Sequence, residues 1–478
     1  MQTEGMLPSV QRPRLPTAAV FGMTAALLMS CVATASSPRN APATAPPQRA
    51  TAAAAAAYAD WDTYHGNRQR TGYAATLKSV ASTPKSVWSL RLDGAVYASP
   101  VIVGGGIKIV ATENNTVYRI FGNQVIWRHH LGTPVPLSSL PCGNINPLGI
   151  TGTPAYDAAT RSVGVVAELA GPIRHVAVGL DPATGAQRWF RNVDVPASVP
   201  GITPAAMQQR GALLVSGRRV YIPYGGLVGD CSSYKGTVIG VDLDHPTSAA
   251  LWRFTVPTTR EAGIWAPPGP SENPGGGLLV AVGNGATGNS GPYDFSDSVL
   301  KIAFQKITDS FSPASWRADN LADLDLGSQG PAIVGNWVFT AGKSGTVYVL
   351  NRNHLGGIGG QVQIRTDLNC HSFGGTAVLG NVVYVPCTNG VRALRINADA
   401  TMTPLWQAPS NVTGSPVIGG GRLWALDTDA GVLHMFSPTS GASMGTLPVG
   451  AVSRFATPAL YGNAVFIGTT SGIRAFNW

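Results

Sequence analysis

One pattern of polar and apolar positions recurs along the chain from about residue 59 onward. A small polar turn is followed by a strand of alternating or continuous apolar residues. Eight copies of this pattern occur, at 115–120, 175–180, 236–241, 297–302, 345–350, 390–395, 431–436 and 472–476. Alternation with period two, bounded by turn residues, indicates β-strands.

The segments that flank each copy extend it into a larger unit. Several copies are followed by a turn and a second strand that contains a tryptophan, at Trp127, Trp189, Trp252, Trp316 and Trp406. Several are preceded by a short strand entered through Gly or Thr and Pro, as at 152–155, 330–333 and 457–460. The unit is therefore a four-stranded antiparallel sheet, and repetition of such units predicts an all-β propeller.

The two ends of the chain indicate how the ring of blades closes. The eighth copy ends at Trp478 without an outer tryptophan strand, whereas 86–90, around Trp88, is an outer strand with no inner strands before it. We therefore expect one eight-bladed β-propeller over residues 59–478, closed by an N-terminal strand on the last blade. Seven blades with one irregular copy is the alternative.

The N-terminus has the composition of an export signal. Arg12 and Arg14 precede a short apolar run at 18–29, and the sequence Leu-Met-Ser-Cys that ends at Cys31 resembles a bacterial lipoprotein cleavage box. We expect a signal peptide at 1–30, lipidation of Cys31 and an Ala/Pro-rich tether at 31–58. The protein would then be lipid-anchored on the outer side of the cytoplasmic membrane. A secretory signal cut near Ala35, which yields a secreted protein, is the alternative.

Charge and cysteine content narrow the functional classes. The formal net charge is +9, only 12% of residues are charged, and no run of Lys or Arg occurs, so nucleic-acid binding is not expected. Apart from Cys31, four cysteines remain, and an exported chain can pair them in three ways. We favour Cys370–Cys387, which flank one expected hairpin, and Cys142–Cys231 by elimination; free buried thiols are the alternative. No Cys-x-x-Cys-His motif is present, so no c-type haem is expected.

The eight Gly-x-Val-x-x-Leu units with their tryptophan strands resemble the pyrroloquinoline quinone (PQQ) repeat. The opening segment 61–72 is similar to the start of bacterial quinoprotein-like propellers. This resemblance covers almost all of the chain after residue 60. The same repeat builds quinoprotein alcohol dehydrogenases and a non-enzymatic propeller lipoprotein of outer-membrane protein assembly, so the resemblance implies the fold more strongly than the function.

Four short motifs resemble the site of quinoprotein alcohol dehydrogenases of the polyvinyl alcohol dehydrogenase type. The resemblance implies that Trp265 stacks on the quinone and that Asn284 binds calcium. It also implies that Asp325, in 323–331, is the catalytic base and that Lys343 contacts the quinone oxygen. The residue types suit these roles, because calcium prefers oxygen ligands and alcohol oxidation needs a base for the hydroxyl proton. A cation stabilises charge that develops on the quinone, and the cofactor performs the redox step.

The chain also departs from that family. It has no adjacent cysteines, and the usual glutamate ligand of calcium is missing near 229–236, where Asp230 is a substitute one position away. It lacks a haem domain, so an enzyme of this type would need an external electron acceptor.

Two functions therefore stay open: a PQQ- and calcium-dependent alcohol oxidoreductase, or a non-catalytic propeller that binds protein or polymer partners at the envelope. Each candidate residue also has a structural alternative, such as a core role for Trp265 or a hairpin turn at Asn284–Gly285. Convergence of the four side chains on the central channel would favour the first function.

Lipidation of Cys31 is directly testable. Cys31→Ser should abolish incorporation of an alkyne-labelled fatty acid in a bacterial host, because the acyl acceptor is lost. Cys370→Ser is the matched control and should keep the label. Unchanged labelling of Cys31→Ser would contradict the expectation.

Overall fold

The computed structural model describes residues 58–80, 82–196, 199–287 and 290–478. The expected signal peptide, Cys31 and nearly all of the expected tether lie outside these residues. Tyr58, the first described residue, packs edge-on against Tyr461 with 5.7 Å between the ring centroids. No helix among the described residues is long and apolar enough to span a membrane.

The chain forms eight sheets of the kind the repeat predicts, and an eight-bladed β-propeller is confirmed. Within a blade the strands follow one another from the central channel outward. The first four blades have these strands. Blade 1 has Val101–Val103, Ile107–Ala111, Thr116–Phe121 and Gln124–His130. Blade 2 has Ala155–Asp157, Ser162–Leu169, Arg174–Leu180 and Gln187–Asn192. Blade 3 has Leu214–Ser216, Arg219–Gly226, Thr237–Asp242 and Trp252–Thr255, with Met207–Gln208 added to its second strand. Blade 4 has Ser271–Glu272, Leu278–Val282, Ser298–Ala303 and Lys306–Ser312, with Gly357–Ile358 added outside.

The remaining blades follow the same order. Blade 5 has Ala332–Val334, Trp337–Ala341, Val347–Asn351 and Gln363–Arg365. Blade 6 has Ala377–Leu379, Val382–Val385, Arg392–Ile396 and Met402–Gln407. Blade 7 has Val417–Gly419, Arg422–Asp427, Val432–Phe436 and Ser443–Pro448, with Tyr73–Ala74 added inside. Blade 8 has Ala459–Tyr461, Ala464–Thr469, Gly472–Asn477 and, outermost, Lys85–Arg91. The described helices are Trp316–Leu321 and the 3-10 turns Tyr64–Gly66, Leu137–Ser139, Pro204–Ala206 and Leu326–Ser328.

One strand assignment made from the sequence is wrong. Trp316 begins the helix Trp316–Leu321 and is buried, instead of lying in the outer strand of blade 4. Lys306–Ser312 follows the turn at Phe304–Gln305 directly and supplies that outer strand. The blade is therefore complete before Trp316, and Pro313 separates the strand from the helix.

The N-terminal strand closes the ring as expected. Lys85–Arg91 pairs antiparallel with Gly472–Asn477, and Trp88 lies opposite Ala475. Trp88 also packs against Phe466 of the same blade, with 6.1 Å between ring centroids. Both disulfides of the favoured pairing are present, Cys142–Cys231 and Cys370–Cys387.

Because neighbouring strands run antiparallel, the turns of each blade alternate between two faces of the propeller. The turn between the first and second strands and the turn between the third and fourth lie on one face, which we call the lower face. The turn between the second and third strands and the connection to the next blade lie on the other, the upper face.

Residues 61–74, the floor segment, cross the lower face and contact most of the innermost strands. Trp61 pairs with Ile102 of blade 1, and Tyr156 N of blade 2 donates to Asp62 O. Thr71 O and Gly72 O accept from blades 6 and 7, at Val378 N and Ile418 N, and His65 Nε2 lies 3.2 Å from Thr457 Oγ1 beside blade 8. The segment therefore ties the blades together at the channel.

Arg70 is the central polar anchor of the floor segment. Its side chain is buried and donates to Thr63 Oγ1 at 2.6 Å, Leu213 O at 2.9 Å and Pro270 O at 3.1 Å. These bonds join the segment to blades 3 and 4. Burial lowers the pKa of Arg70 to about 10, although nearby Asp62 opposes that shift.

Arg70→Met should lower the free energy of unfolding by about 3 kcal/mol, because two buried carbonyls lose a charged donor. Denaturant titration would measure this change. Arg68→Met is the matched control in the same segment, since its side chain is 50% exposed and its contact with Glu272 is 3.9 Å; it should cost less than about 1 kcal/mol. Equal effects of the two substitutions would contradict the anchoring role of Arg70.

Candidate functional site

The four residues singled out by the motifs all lie on the upper face. Trp265 is in the connection between blades 3 and 4, and Asn284 follows Leu278–Val282 in blade 4. Asp325 directly precedes the 3-10 turn Leu326–Ser328, between blades 4 and 5. Lys343 follows Trp337–Ala341 in blade 5. Two blade connections and two turns, in alternating order along the chain, thus contribute to one region.

Glycine allows these segments to approach one another. Gly283 N donates to Gly263 O at 2.9 Å, and Ala262 N donates to Asn284 O at 2.7 Å. A Cβ atom on Gly283 would lie 2.8 Å from Asp325 Oδ1 and 2.9 Å from Trp265 Nε1. Any side chain at Gly283 would therefore separate the indole from the carboxylate.

Asp325 is the centre of the site. One carboxylate oxygen accepts a short hydrogen bond from the Asn284 backbone N–H, and the other lies 2.7 Å from Lys343 Nζ. The ammonium of Lys343 also lies 2.7 Å from Asp323 Oδ1 and 5.7 Å from the centroid of the Trp265 ring. The four residues are thus brought together around one carboxylate.

Burial and the neighbouring charge shift the pKa values of Asp325 and Lys343 in opposite directions. Asp325 is only 2% exposed, and burial raises its pKa, although the neighbouring Lys343 ammonium limits that rise. Burial lowers the pKa of Lys343, but the attraction of Asp325 and the contact with Asp323 outweigh it, so that the net shift is upward. The two groups therefore stabilise each other's charged forms.

Sequence reasoning missed Asp297, whose side chain is fully buried beneath Asp325. Its Oδ1 accepts from Leu326 N at 3.0 Å, whereas its Oδ2 is buried without a hydrogen-bond partner among the described residues. Burial, reinforced by the negative charge of Asp325, raises the pKa of Asp297 well above the ordinary carboxyl range. The sequence showed this residue only as the first position of a repeat copy.

Glu261 is a second carboxylate that the motifs did not assign. It is 7% exposed and lies 2.6 Å from Arg260. Burial raises the pKa of Glu261; Arg260 opposes the rise, while Asp230 and Asp325 add to it. Its position just before the Gly263–Trp265 motif was the available signal.

Asp230 is held by a different partner. Its Oδ1 accepts from the Tyr234 hydroxyl at 2.5 Å, and no hydrogen bond or ion pair joins it to Asn284 within the described ranges. Burial and the nearby Asp230 raise the pKa of the Tyr234 hydroxyl, so Tyr234 stays a donor. Asp230 is thus near the site but already engaged.

The donor set suits a hard cation more by chemistry than by geometry. Across the described parts of the chain, no group of three or more His, Cys, Asp or Glu side chains is gathered closely enough to hold a metal ion. However, acidic side chains are numerous here: Asp323 and Asp325 share the ammonium of Lys343, Glu261 pairs with Arg260, and Asp297 Oδ2 is unpartnered. Asn284 contacts Asp325 through its backbone N–H, and its side-chain amide is of the oxygen type that calcium prefers. The residue types at the site therefore suit a calcium ion, although the described residues do not form a ready set of ligands.

Aromatic and cationic side chains line the channel beside Trp265. Trp265 is half-buried, and the Phe455 ring meets it edge-on with 6.4 Å between centroids. The Arg210 guanidinium lies 4.3 Å from the centre of the Phe455 ring. Trp265 is therefore not packed in the core between blades, and its surroundings fit a flat anionic ligand.

The comparisons with known proteins agree with the fold. No family model and no curated protein matches the chain. Among solved structures, a europium-containing methanol dehydrogenase matches with a TM-score of 0.66 and 15% identity, over 88% of this chain and 98% of that one. The quinohemoprotein alcohol dehydrogenase of Comamonas testosteroni matches with a TM-score of 0.64 and 15% identity, over 88% and 80%. BamB of Moraxella catarrhalis matches with a TM-score of 0.56 and 16% identity, over 83% and 100%.

The TM-scores establish a shared β-propeller architecture, and the matched structures include two dehydrogenases as well as BamB. The likeness extends to the fold alone. Function has to be argued from the site.

Lys343→Met should destabilise the protein in a pH-dependent way, because burial then raises the pKa of Asp325 without opposition. When the pKa of a carboxyl is higher in the folded than in the unfolded protein, the free energy of unfolding falls as the pH rises. The fall begins at the ordinary pKa of the carboxyl, 3.8, and continues to the raised value. The deficit relative to the native chain should therefore be small near about pH 4 and reach about 3 kcal/mol near about pH 7.

Denaturant titrations at both pH values would measure this difference. Adding Asp325→Asn should remove its pH dependence. Lys306→Met, on an exposed strand end, is the control for loss of a lysine. A deficit of Lys343→Met that does not change with pH would argue against the buried ion pair.

Proposed function

We propose that the chain is an exported quinoprotein-type oxidoreductase that binds PQQ with a calcium ion on the upper face and oxidises an alcohol. The observation that carries the proposal is the convergence of Trp265, Asn284 and Lys343 on the buried carboxylate of Asp325. The likeness to the structures of a quinohemoprotein alcohol dehydrogenase and a methanol dehydrogenase supports it as a fold-level analogy.

Each residue has a defined part in such a site. The Trp265 ring would support the flat quinone, and the Lys343 ammonium would face a quinone oxygen. The amide oxygen of Asn284, with the carboxylate of Glu261, would hold the calcium ion. When bound, PQQ supplies a two-electron acceptor for the hydride that leaves the alcohol carbon.

Asp325 is the group able to accept the alcohol proton. Its Oδ2 contacts Lys343, so the substrate hydroxyl would share this oxygen with the ammonium or replace it. Its other oxygen stays fixed by the Asn284 N–H, which orients the carboxylate. Burial, which raises the pKa of Asp325, brings a carboxyl closer to the value a general base needs near neutral pH.

Electrons would leave through an external acceptor, since the sequence has no haem-attachment motif. An exported location, with lipidation at Cys31, belongs to the same proposal. The two disulfides, Cys142–Cys231 and Cys370–Cys387, support it, because such bonds persist in oxidising compartments.

A non-catalytic propeller that binds protein or polymer at the envelope is the second candidate. The observation that favours it is that both oxygens of Asp325 already have protein partners, Asn284 N and Lys343 Nζ. A closed network of this kind would stabilise the blade connections without any cofactor. The likeness to BamB is compatible with this reading.

Titration of the purified chain with PQQ and calcium separates the two candidates. Tryptophan fluorescence should change saturably at about micromolar to tens of micromolar PQQ, and only with calcium present. Trp265→Ala should abolish the response, because the ring that supports the quinone is gone. Asp325→Asn should keep PQQ binding within severalfold but lower dye-linked alcohol oxidation by about 10²–10⁴-fold.

Trp127→Ala is the matched control, since Trp127 lies on the outer strand of blade 1, far from the channel. It should leave both readouts unchanged. If the native chain shows no PQQ response at tens of micromolar, the non-catalytic candidate is the better one.

A further inference from the structure

The hairpin tip of blade 4 has an unusual residue for its conformation. Phe304 and Gln305 form the two-residue loop between Ser298–Ala303 and Lys306–Ser312, with φ angles of +51° and +63°. Loops of this type favour Asn-Gly, and a bulky residue is unfavourable in the left-handed region. Phe304 is also 90% exposed, so burial does not compensate for the conformation. Neither local geometry nor packing within the chain explains a phenylalanine here.

Phe304 lies at the edge of a groove between blades 3 and 4. Leu278 and Ile302, both buried, form its apolar floor. Tyr221 and Trp252 are half-buried in its wall and meet edge-to-face, with 5.2 Å between ring centroids. Large aromatic side chains around an apolar floor are the composition of a binding hot spot.

The groove also contains a cation without an ionic partner. Within the described residues Arg219 forms no ion pair, and its Nε is buried without a hydrogen-bond partner. Asp242 lies opposite Arg219 in the strand register, but its carboxylate accepts from Asp244 N instead. Glu272, a nearby carboxylate, accepts from Ser216 Oγ. The charge of Arg219 is therefore available to an incoming carboxylate.

We propose that this groove binds an extended segment of a partner protein in which a large apolar side chain stands beside an aspartate or glutamate. The apolar side chain would pack against Phe304 and Trp252, and the carboxylate would pair with Arg219. A carboxylate that accepts two hydrogen bonds from one guanidinium contributes both affinity and orientation.

The protein's own N-terminal segment does not have this chemistry. Residues 31–57 are rich in Ala and Pro, contain no Asp or Glu, and include Arg39 and Arg49. They would bring further positive charge to Arg219 and would not neutralise it. Charge complementarity therefore favours a separate acidic partner.

The groove is independent of the candidate oxidoreductase site. The turns at Gly217–Arg218 and Phe304–Gln305 lie on the lower face, whereas Asp325 and Lys343 lie on the upper face. The groove would serve either candidate function, as a docking site for an electron acceptor or for an assembly partner.

Fluorescence polarisation with the full chain tests the proposal. The probes are blocked, fluorescein-labelled hexapeptides in which Phe, Leu or Trp stands next to Asp, Asn or Lys. Peptides with Asp should bind at least about tenfold tighter than their Asn counterparts. Arg219→Gln should erase that preference, and Phe304→Asn should weaken binding at least about tenfold.

Phe304→Asn is informative because asparagine suits the left-handed turn, so its thermal unfolding midpoint should equal or exceed that of the native chain. Phe121→Asn is the matched control, since Phe121 is a phenylalanine with 68% exposure at a hairpin of blade 1, outside the groove; it should bind the peptides as the native chain does. The proposal is overturned if no probe binds below about 1 mM, or if Phe304→Asn binds as tightly as the native chain.

Discussion

Closure of the ring is the constraint on which the rest of the structure depends. The pairing of Lys85–Arg91 with Gly472–Asn477 joins two distant parts of the chain in one blade. A four-stranded blade alone exposes both of its apolar faces, so each blade relies on its neighbours, and closure leaves none at an open end. The floor segment adds hydrogen bonds from buried Arg70 to blades 3 and 4. The relative positions of the loops on the upper face follow from that closure.

The candidate site uses this rigidity to hold charges in a buried position. Asp325 lies in the connection between blades 4 and 5 and Lys343 in a turn of blade 5, and each would be unfavourable at this depth without the other. Gly283 permits the contact because it has no side chain between the indole and the carboxylate. Asp297 adds a further buried carboxyl group, and one of its oxygens has no hydrogen-bond partner among the described residues. That unpartnered oxygen is the physical reason for considering a cation together with the quinone.

The fold was largely predictable from the sequence because the same pattern of polar and apolar positions recurs in every blade. Eight repeats, the spare strand around Trp88 and the disulfide Cys370–Cys387 each follow from alternation and hairpin spacing. Trp316 was misassigned because a tryptophan after a turn does not distinguish an outer strand from a short helix. The roles of Glu261 and Asp297 were not predictable, since burial and the approach of other connections decide their pKa shifts. Motif spacing found the residues that resemble a family, but not the charges around them.

Non-glycine residues with positive φ show where the backbone is strained. Of the sixteen non-glycine residues with positive φ in the described ranges, seven surround the candidate site: Asp230, Ser232, Glu261, Ala262, Phe295, Asp297 and Asp323. Three more, Arg218, Phe304 and Gln305, lie at the groove of the lower face. Such conformations persist only where the surrounding structure imposes them, and they cluster at sites that bind or react. The same two regions contain the unpartnered polar atoms Asp297 Oδ2 and Arg219 Nε. Backbone strain therefore concentrates at the two regions for which a ligand and a partner are proposed, on opposite faces of one closed ring.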